Sequence, residues 1–178
     1  MNAGQVFASF VLTALLVSGV SAPAAPAAPA EPAAQLEATV TRVADGDTIW
    51  LQASTSESGG KPKPFKLRLQ GIDAPERCQA WGATSTAALS ARVLNQRVQV
   101  QTRSKDDHGR SLGNIRLRGE DISAWMVSEG HAWSYRYRRS EGPYALQEQA
   151  AKRAQRGLFA DIAAQEPRWF RKANGPCP

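Results

Sequence analysis

Five side chains, far apart in the chain, are of the types that one reaction needs. Asp47 and Asp73 are two carboxylates, Glu76 is a third, and Arg68 and Arg110 are guanidiniums. Two carboxylates, joined by main-chain carbonyls and water, make a hard oxygen site suited to Ca²⁺. A third carboxylate beside them can act as general base toward water. Two guanidiniums can clamp a phosphate bidentately and stabilise charge that grows in the transition state. Together these are the parts of metal-assisted hydrolysis of a phosphodiester.

Taken singly, each part has a plainer reading. Asp45-Gly46-Asp47 is ordinary hairpin-turn chemistry. Asp73-Ala74-Pro75-Glu76 can serve only to end a strand, since Pro75 interrupts a ladder. Gly109-Arg110 can be a turn with a solvated Arg, and Arg68 an ordinary surface residue. The functional reading depends on their being brought together.

The elements that must do this are short and alternating. Glu37 to Val43 and Thr48 to Ala53 alternate and predict two strands of a hairpin. Ser54 to Pro64 is a polar loop. Phe65 to Ile72 predicts a third strand with one basic face, Arg97 to Arg103 a fourth and Leu112 to Arg118 a fifth. Helices are predicted over Thr84–Asn95, Asp121–Glu129 (stopped by Gly130) and Tyr144–Arg156 (stopped by Gly157). The pattern is α+β: a small five-stranded β-barrel with about three packed helices. Asp47, Asp73, Glu76 and Arg110 then fall at strand ends, which a closed barrel can bring together. Arg68 is five residues before Asp73, so an ideal strand points the two to opposite faces. A twist or bulge near Gly71 is required to unite them.

The joint order of Asp45-Gly46-Asp47-Thr48, Arg68-Leu69-Gln70-Gly71-Ile72-Asp73-Ala74-Pro75-Glu76 and Asp106-Asp107-His108-Gly109-Arg110 resembles the staphylococcal nuclease (thermonuclease) family over about residues 37–160. The resemblance implies an OB-fold barrel with three helices. It implies Asp47 and Asp73 as calcium carboxylates, Ala74 as a carbonyl ligand and Glu76 as general base. It implies Arg68 and Arg110 as phosphate-binding arginines. The implied reaction is attack by a calcium-neighbouring water on phosphorus in DNA or RNA, leaving a 3′-phosphate. Where the staphylococcal member has a nucleotide-contacting Tyr, this chain has His108. A His there makes any phosphate hydrogen bond depend on pH, and an exposed turn His without a role is the alternative. Tyr135 and Tyr137, interleaved with cations in Trp133-Ser134-Tyr135-Arg136-Tyr137-Arg138-Arg139, resemble the family's paired tyrosines near the base. Aromatics that stack bases between phosphate-neutralising arginines suit single strands.

The flanks bear on destination. Val6 to Val20 is a 15-residue apolar run, shorter than the roughly 20 residues a bilayer span needs. With the small residues after it, the run predicts a signal peptide over 1–24, cut after Ala22 or Ala24, although no Lys or Arg precedes it. An Ala/Pro-rich tether over 25–36 follows, whose prolines forbid helix and sheet. The folded domain is expected over 37–166, with a basic, aromatic tail over 167–178 wrapping the surface. The destination predicted is periplasm or medium, as a monomer without stable membrane association. In an oxidising compartment Cys78 and Cys177, the only cysteines, pair by default; two free thiols are the alternative. No Cys/His cluster exists, which excludes a structural zinc site. The net charge of +6 favours polyanions without choosing among them. A non-cutting OB-type binder of nucleic acid therefore stands as the rival to a nuclease. An envelope-associated structural protein is a third reading and rests on the apolar N-terminus alone.

Overall fold

The computed structural model describes Met1 and residues 35–54, 62–106 and 110–177. The leader predicted over 1–24 apart from Met1, the tether up to residue 34 and His108 lie outside the described residues.

Alternation of apolar and polar residues becomes alternation of inside and outside. β1 (Gln35–Asp45), β2 (Thr48–Ala53), β3 (Phe65–Leu69), β5 (Arg97–Lys105) and β6 (Ser111–Leu117) are the barrel strands. They are ordered β3-β2-β1-β5-β6, and a parallel pairing of β3 with β6 closes the ring. Val40, Ile49, Leu51, Leu67, Leu69, Val98, Val100 and Ile115 fill it, each at most 1% exposed. The long strand β1 pairs with β5 through its first half and with β2 through its second. Register shifts after Val40 and after Val43 let it bend from one partner to the other. The barrel is thus the five-stranded OB-type architecture expected, within an α+β fold.

Three short strands add to it: β4 (Ile72–Asp73), β7 (Glu120–Asp121) and β8 (Trp133–Ser134). β4 and β8 pair antiparallel apart from the barrel, with Asp73 opposite Trp133. Two-residue strands carry no periodicity, which is why alternation alone does not predict them.

Among the described residues, four α-helices flank the barrel, in keeping with the about three expected: α1 (Gly82–Val93), α2 (Ile122–Ser128), α3 (Ala145–Arg153) and α4 (Pro167–Asn174). α1 buries Leu89 and Val93, and α2 buries Ile122, Met126 and Val127, all in the common core. Asp121 caps α2 by accepting from the Ala124 N–H at 3.1 Å, satisfying one of the orphan donors of the first turn. The segment expected to wrap the surface as a tail is α4. Pro167 opens it and Gly175, at φ +72°, closes it, the usual asymmetry of helix ends. Cys78 and Cys177 are bonded, with Cα atoms 5.7 Å apart, which pins the end of the chain beside the segment carrying Asp73 and Glu76. None of the described helices is long and apolar enough to cross a membrane.

Candidate active site

Asp47 is the second residue of the β1–β2 turn, and three bonds set it in place. Its N–H donates to Asp45 Oδ1 (3.0 Å), its carbonyl accepts from the Leu69 N–H (2.7 Å), and its Oδ2 accepts from the Ala74 N–H (3.1 Å). The turn lies so close to α1 and β4 that a Cβ on Gly46 would sit 2.0 Å from Ser85 Oγ and 2.7 Å from Ala74 Cβ. Glycine is therefore required there by approach rather than by conformation.

Arg68 was the insecure member, because strand parity points it away from Asp73. β3 ends at Leu69, and Gln70 and Gly71 form a turn before β4, with Gly71 at φ +82°. Parity does not carry across that turn. Arg68 Nη1 reaches Asp47 Oδ1 at 2.8 Å and its Nη2 reaches Asp73 Oδ1 at 3.1 Å. A Cβ on Gly71 would meet Pro143 Cγ at 2.6 Å and Tyr144 Cε2 at 2.8 Å, so both the left-handed φ and the packing exclude other residues.

Asp47 and Asp73 are 3% and 5% exposed. Burial pushes the Asp47 carboxyl up to about 7, against the pull of Arg68, with Asp45 and Asp73 adding to the rise. Arg68 is also desolvated, but the carboxylates of Asp47 and Asp73 hold its pKa above the ordinary value. A buried carboxylate that prefers its proton at near-neutral pH marks a site short of positive charge.

Glu76 lies three residues past Asp73, beyond Pro75. The Glu76 N–H donates to Gln79 Oε1 (3.1 Å), and the Gln79 side chain in turn donates to the Gln165 carbonyl (2.6 Å). Arg110 arrives at the start of β6. The parallel register sets Arg68 opposite Leu112, two residues beyond Arg110, so both arginines issue from neighbouring strands near the same end. Asp106 steers Arg110, accepting from its Nε at 2.6 Å and from its N–H at 2.8 Å.

Asp47, Arg68, Glu76 and Arg110 border one cleft of about 890 Å³, and Asp73 lies behind its lining, bonded to Arg68 and Arg171. Tyr135 and Tyr137 line the same cleft and stand 44% and 62% exposed. The Tyr135 N–H donates to the Gly71 carbonyl (2.8 Å), so the tyrosine segment is stitched to the turn ahead of Asp73. Trp133, by contrast, is buried. Arg136 turns away from the cleft to Glu148 and Glu166.

Two residues at this site were not anticipated. Asp106 stands in the motif ahead of Arg110 with no role assigned to it there, yet it orients Arg110. Arg171, on α4, donates from Nη1 to Glu76 Oε1 (2.6 Å) and Asp73 Oδ1 (3.3 Å), and from Nη2 to Asp73 Oδ2 (3.1 Å). The signal for Arg171 was present: a disulfide from Cys177 to Cys78 brings a basic segment beside Glu76.

Among the described residues, no three His, Cys, Asp or Glu side chains form an all-side-chain metal cage. What the cleft offers a cation is two buried carboxylates, a main-chain segment at Ala74 and room for water. That is an oxygen-only donor set, which fits a hard divalent ion.

Comparison with known proteins agrees with this geometry. Residues 66–161 match the family described as "Staphylococcal nuclease homologue". The chain is 35% identical over 153 residues to Protein ParB of Escherichia coli, covering 79% of this chain and 82% of that protein. It is 34% identical over 152 residues to a micrococcal nuclease of Shigella flexneri, covering 79% and 83%. It is 34% identical over 134 residues to an "Uncharacterized endonuclease" of Haemophilus influenzae, covering 75% and 71%. With the barrel, the cleft and these matches in agreement, the chain belongs to the staphylococcal nuclease family of phosphodiester-cleaving enzymes.

Proposed function

We propose that this protein is an exported, calcium-dependent nuclease that hydrolyses phosphodiester bonds of DNA and/or RNA and leaves 3′-phosphate ends. One observation carries the reading: Asp47, Asp73, Glu76, Arg68 and Arg110 converge on a single cleft large enough for a nucleotide. The family is metal-dependent in general. Calcium is chosen on the oxygen-only donors together with the family resemblance.

Asp47 and Asp73, with the Ala74 carbonyl, would hold the ion, which supplies Lewis-acid polarisation of the phosphoryl oxygens and lowers the pKa of nearby water. Glu76 takes the proton from the attacking water. Arg68 and Arg110 bind the non-bridging oxygens and stabilise the charge that grows on them. Asp106 fixes the direction of Arg110. As the new P–O bond forms, the bond to the 5′ oxygen breaks, and that oxygen takes a proton from solvent. Tyr135 and Tyr137 provide faces on which the neighbouring base stacks. His108, outside the described residues, retains its proposed bond to phosphate.

The chain is proposed to act as a monomer in periplasm or medium after cleavage of its leader behind Ala22 or Ala24. The supporting features are the short apolar run, the Ala/Pro-rich segment and the disulfide. N-terminal sequencing of protein from the culture should begin at Pro23 or Ala25.

The test of activity is digestion of single-stranded DNA with CaCl₂, with EDTA as control. Calcium-dependent cleavage with 3′-phosphate ends is expected. Salt-sensitive binding without hydrolysis would instead identify a non-cutting binder.

A further inference from the structure

The family match ends at residue 161, yet α4, beyond it, reaches the floor of the cleft. Arg171 is the residue that does so. Asp73 Oδ1 accepts from both Arg68 Nη2 and Arg171 Nη1, and Oδ2 accepts from Arg171 Nη2. A carboxylate has about four lone-pair sites, and guanidiniums fill three of them. The same Arg171 fork also holds Glu76 Oε1. One side chain thus lies on both the proposed metal carboxylate and the proposed base.

The two arginines at Asp73 differ in how they are held. Arg68 is shared between Asp47 and Asp73, and its side chain is 20% exposed. Arg171 comes in from the surface and is 38% exposed, so it has an open path back to water. It cannot go far. Cys177, six residues on, is bonded to Cys78, two residues past Glu76. A tethered group rebinds at high effective concentration.

We propose that Arg171 is a built-in cation that competes with the divalent ion for Asp73 and Glu76, making α4 a disulfide-tethered latch on the catalytic cleft. The proposal rests on the reading of Asp73 as a metal carboxylate. An ion entering at Asp73 meets a positive charge hydrogen-bonded to the same oxygens, and like charges at that range repel. The ion therefore displaces Arg171, and Glu76 is freed to face water in the same event. Coupling of this kind is reciprocal. By whatever factor Arg171 weakens ion binding, the ion weakens the docking of α4. The latch sets the affinity toward the weak range typical of proteins that work where calcium is plentiful.

Calorimetric titration of CaCl₂ into the disulfide-bonded protein and into Arg171→Gln reads affinity without turnover. Arg171→Gln is expected to bind calcium about tenfold more tightly, within the usual range of such couplings. Arg171→Lys keeps the charge and is expected to stay near the wild-type affinity. Hydrogen exchange supplies the reciprocal arm. In the wild type, α4 amides exchange slowly in EDTA and faster at saturating calcium; in Arg171→Gln they exchange fast in both. The double variant Cys78→Ser, Cys177→Ser keeps Arg171 but loses the tether, and its affinity falls between the two. Wild-type affinity in that variant overturns the tether. Equal or weaker calcium binding by Arg171→Gln, or α4 exchange indifferent to calcium, overturns the latch and leaves the metal reading standing. No calcium heat in any of the proteins overturns both.

Discussion

Glu148 and Asp47 are both buried carboxylates, 2% and 3% exposed, and the fold surrounds them differently. Glu148, on α3, accepts from Arg136 Nη2 and Lys152 Nζ on Oε1 and from the Ser134 N–H on Oε2. Burial would raise its pKa, but the bonds from Lys152, Arg136 and Ser134 outweigh burial and hold it below the ordinary value. Asp47 also has bonded partners, yet burial wins there and its pKa rises to about 7. Burial weighs more heavily on Asp47, and the neighbouring charge adds to the difference. Glu148 has two cations to itself, while Asp47 shares Arg68 with Asp73 and has Asp45 beside it. One cluster is electrically complete and fixes the tyrosine segment to α3. The other is left short of positive charge, which suits a site that takes up a cation and an anionic substrate.

The sharpest break of this contrast is at the base. Glu76→Gln should lower turnover of single-stranded DNA by about 10²–10⁴-fold, the usual worth of a general base. Substrate binding and circular dichroism should stay nearly unchanged, and initial rates with gel-shift affinities check both. Next comes the anion side. Arg110→Ala should cost about 10²–10³ in kcat, as loss of a transition-state donor does. Asp106→Asn should cost less, about tenfold, because Arg110 remains but loses its orientation. An Asp106→Asn enzyme with wild-type kcat would remove Asp106 as a positioning residue.

Stability separates the clusters directly. Glu148→Gln removes the charge that Arg136 and Lys152 face and turns an amide NH2 toward either those cations or the buried Ser134 N–H. It should lower stability by about 2–3 kcal/mol, a figure kept modest because Arg136 and Lys152 are 25% and 49% exposed and partly screened. Its kcat below the melting transition should be preserved. Asp47→Asn should do the reverse: in EDTA, stability stays within about 1 kcal/mol of wild type or rises, while calcium heat disappears. Urea melts and calorimetry on the two variants test the pair.

The two clusters also differ in pH dependence. Asp47 has a folded pKa near 7 against an ordinary 3.8, so the folded state holds its proton more tightly. Its contribution is full below about pH 4 and is lost as pH rises toward 7 in EDTA, by at most about 1.4 kcal/mol per unit. Glu148 has the opposite sign: its contribution is present above its ordinary 4.5 and is lost as pH falls through its lowered value. Calcium binding should strengthen as pH rises from 6 to 8, since the ligand must shed its proton. The difference in Tm between calcium and EDTA should therefore widen over that range. A constant difference would sink the assignment of Asp47 as the perturbed ligand.

Much of this was legible from residue order. Thr48–Ala53 alternates cleanly because one face meets the core, and the strand occupies those residues. The helix over Thr84–Asn95 was displaced by only two residues at either end. Arg68 shows where the pattern misleads. Parity assumes one continuous strand, and the Gln70–Gly71 turn resets it. α4 was illegible for a different reason. Eight residues, three of them Arg or Lys, form little more than two turns, and the role of Arg171 comes from reaching a cleft formed by distant residues. Asp106 was likewise visible within the motif but not as the partner of Arg110, because that role exists only once β6 is in place.

The parallel joining of β3 to β6 has a consequence for when the enzyme becomes active. Pairing Arg68 with Leu112 closes a loop of more than forty residues, and such long-range parallel closure is slow compared with hairpin formation. The same closure brings Arg68 and Arg110 to one site. A chain that has not yet closed its barrel therefore carries both arginines in its sequence without having them at one site. Cleavage activity in a refolding time course should appear with the final barrel-closing phase and not with the earlier gain of hairpin structure.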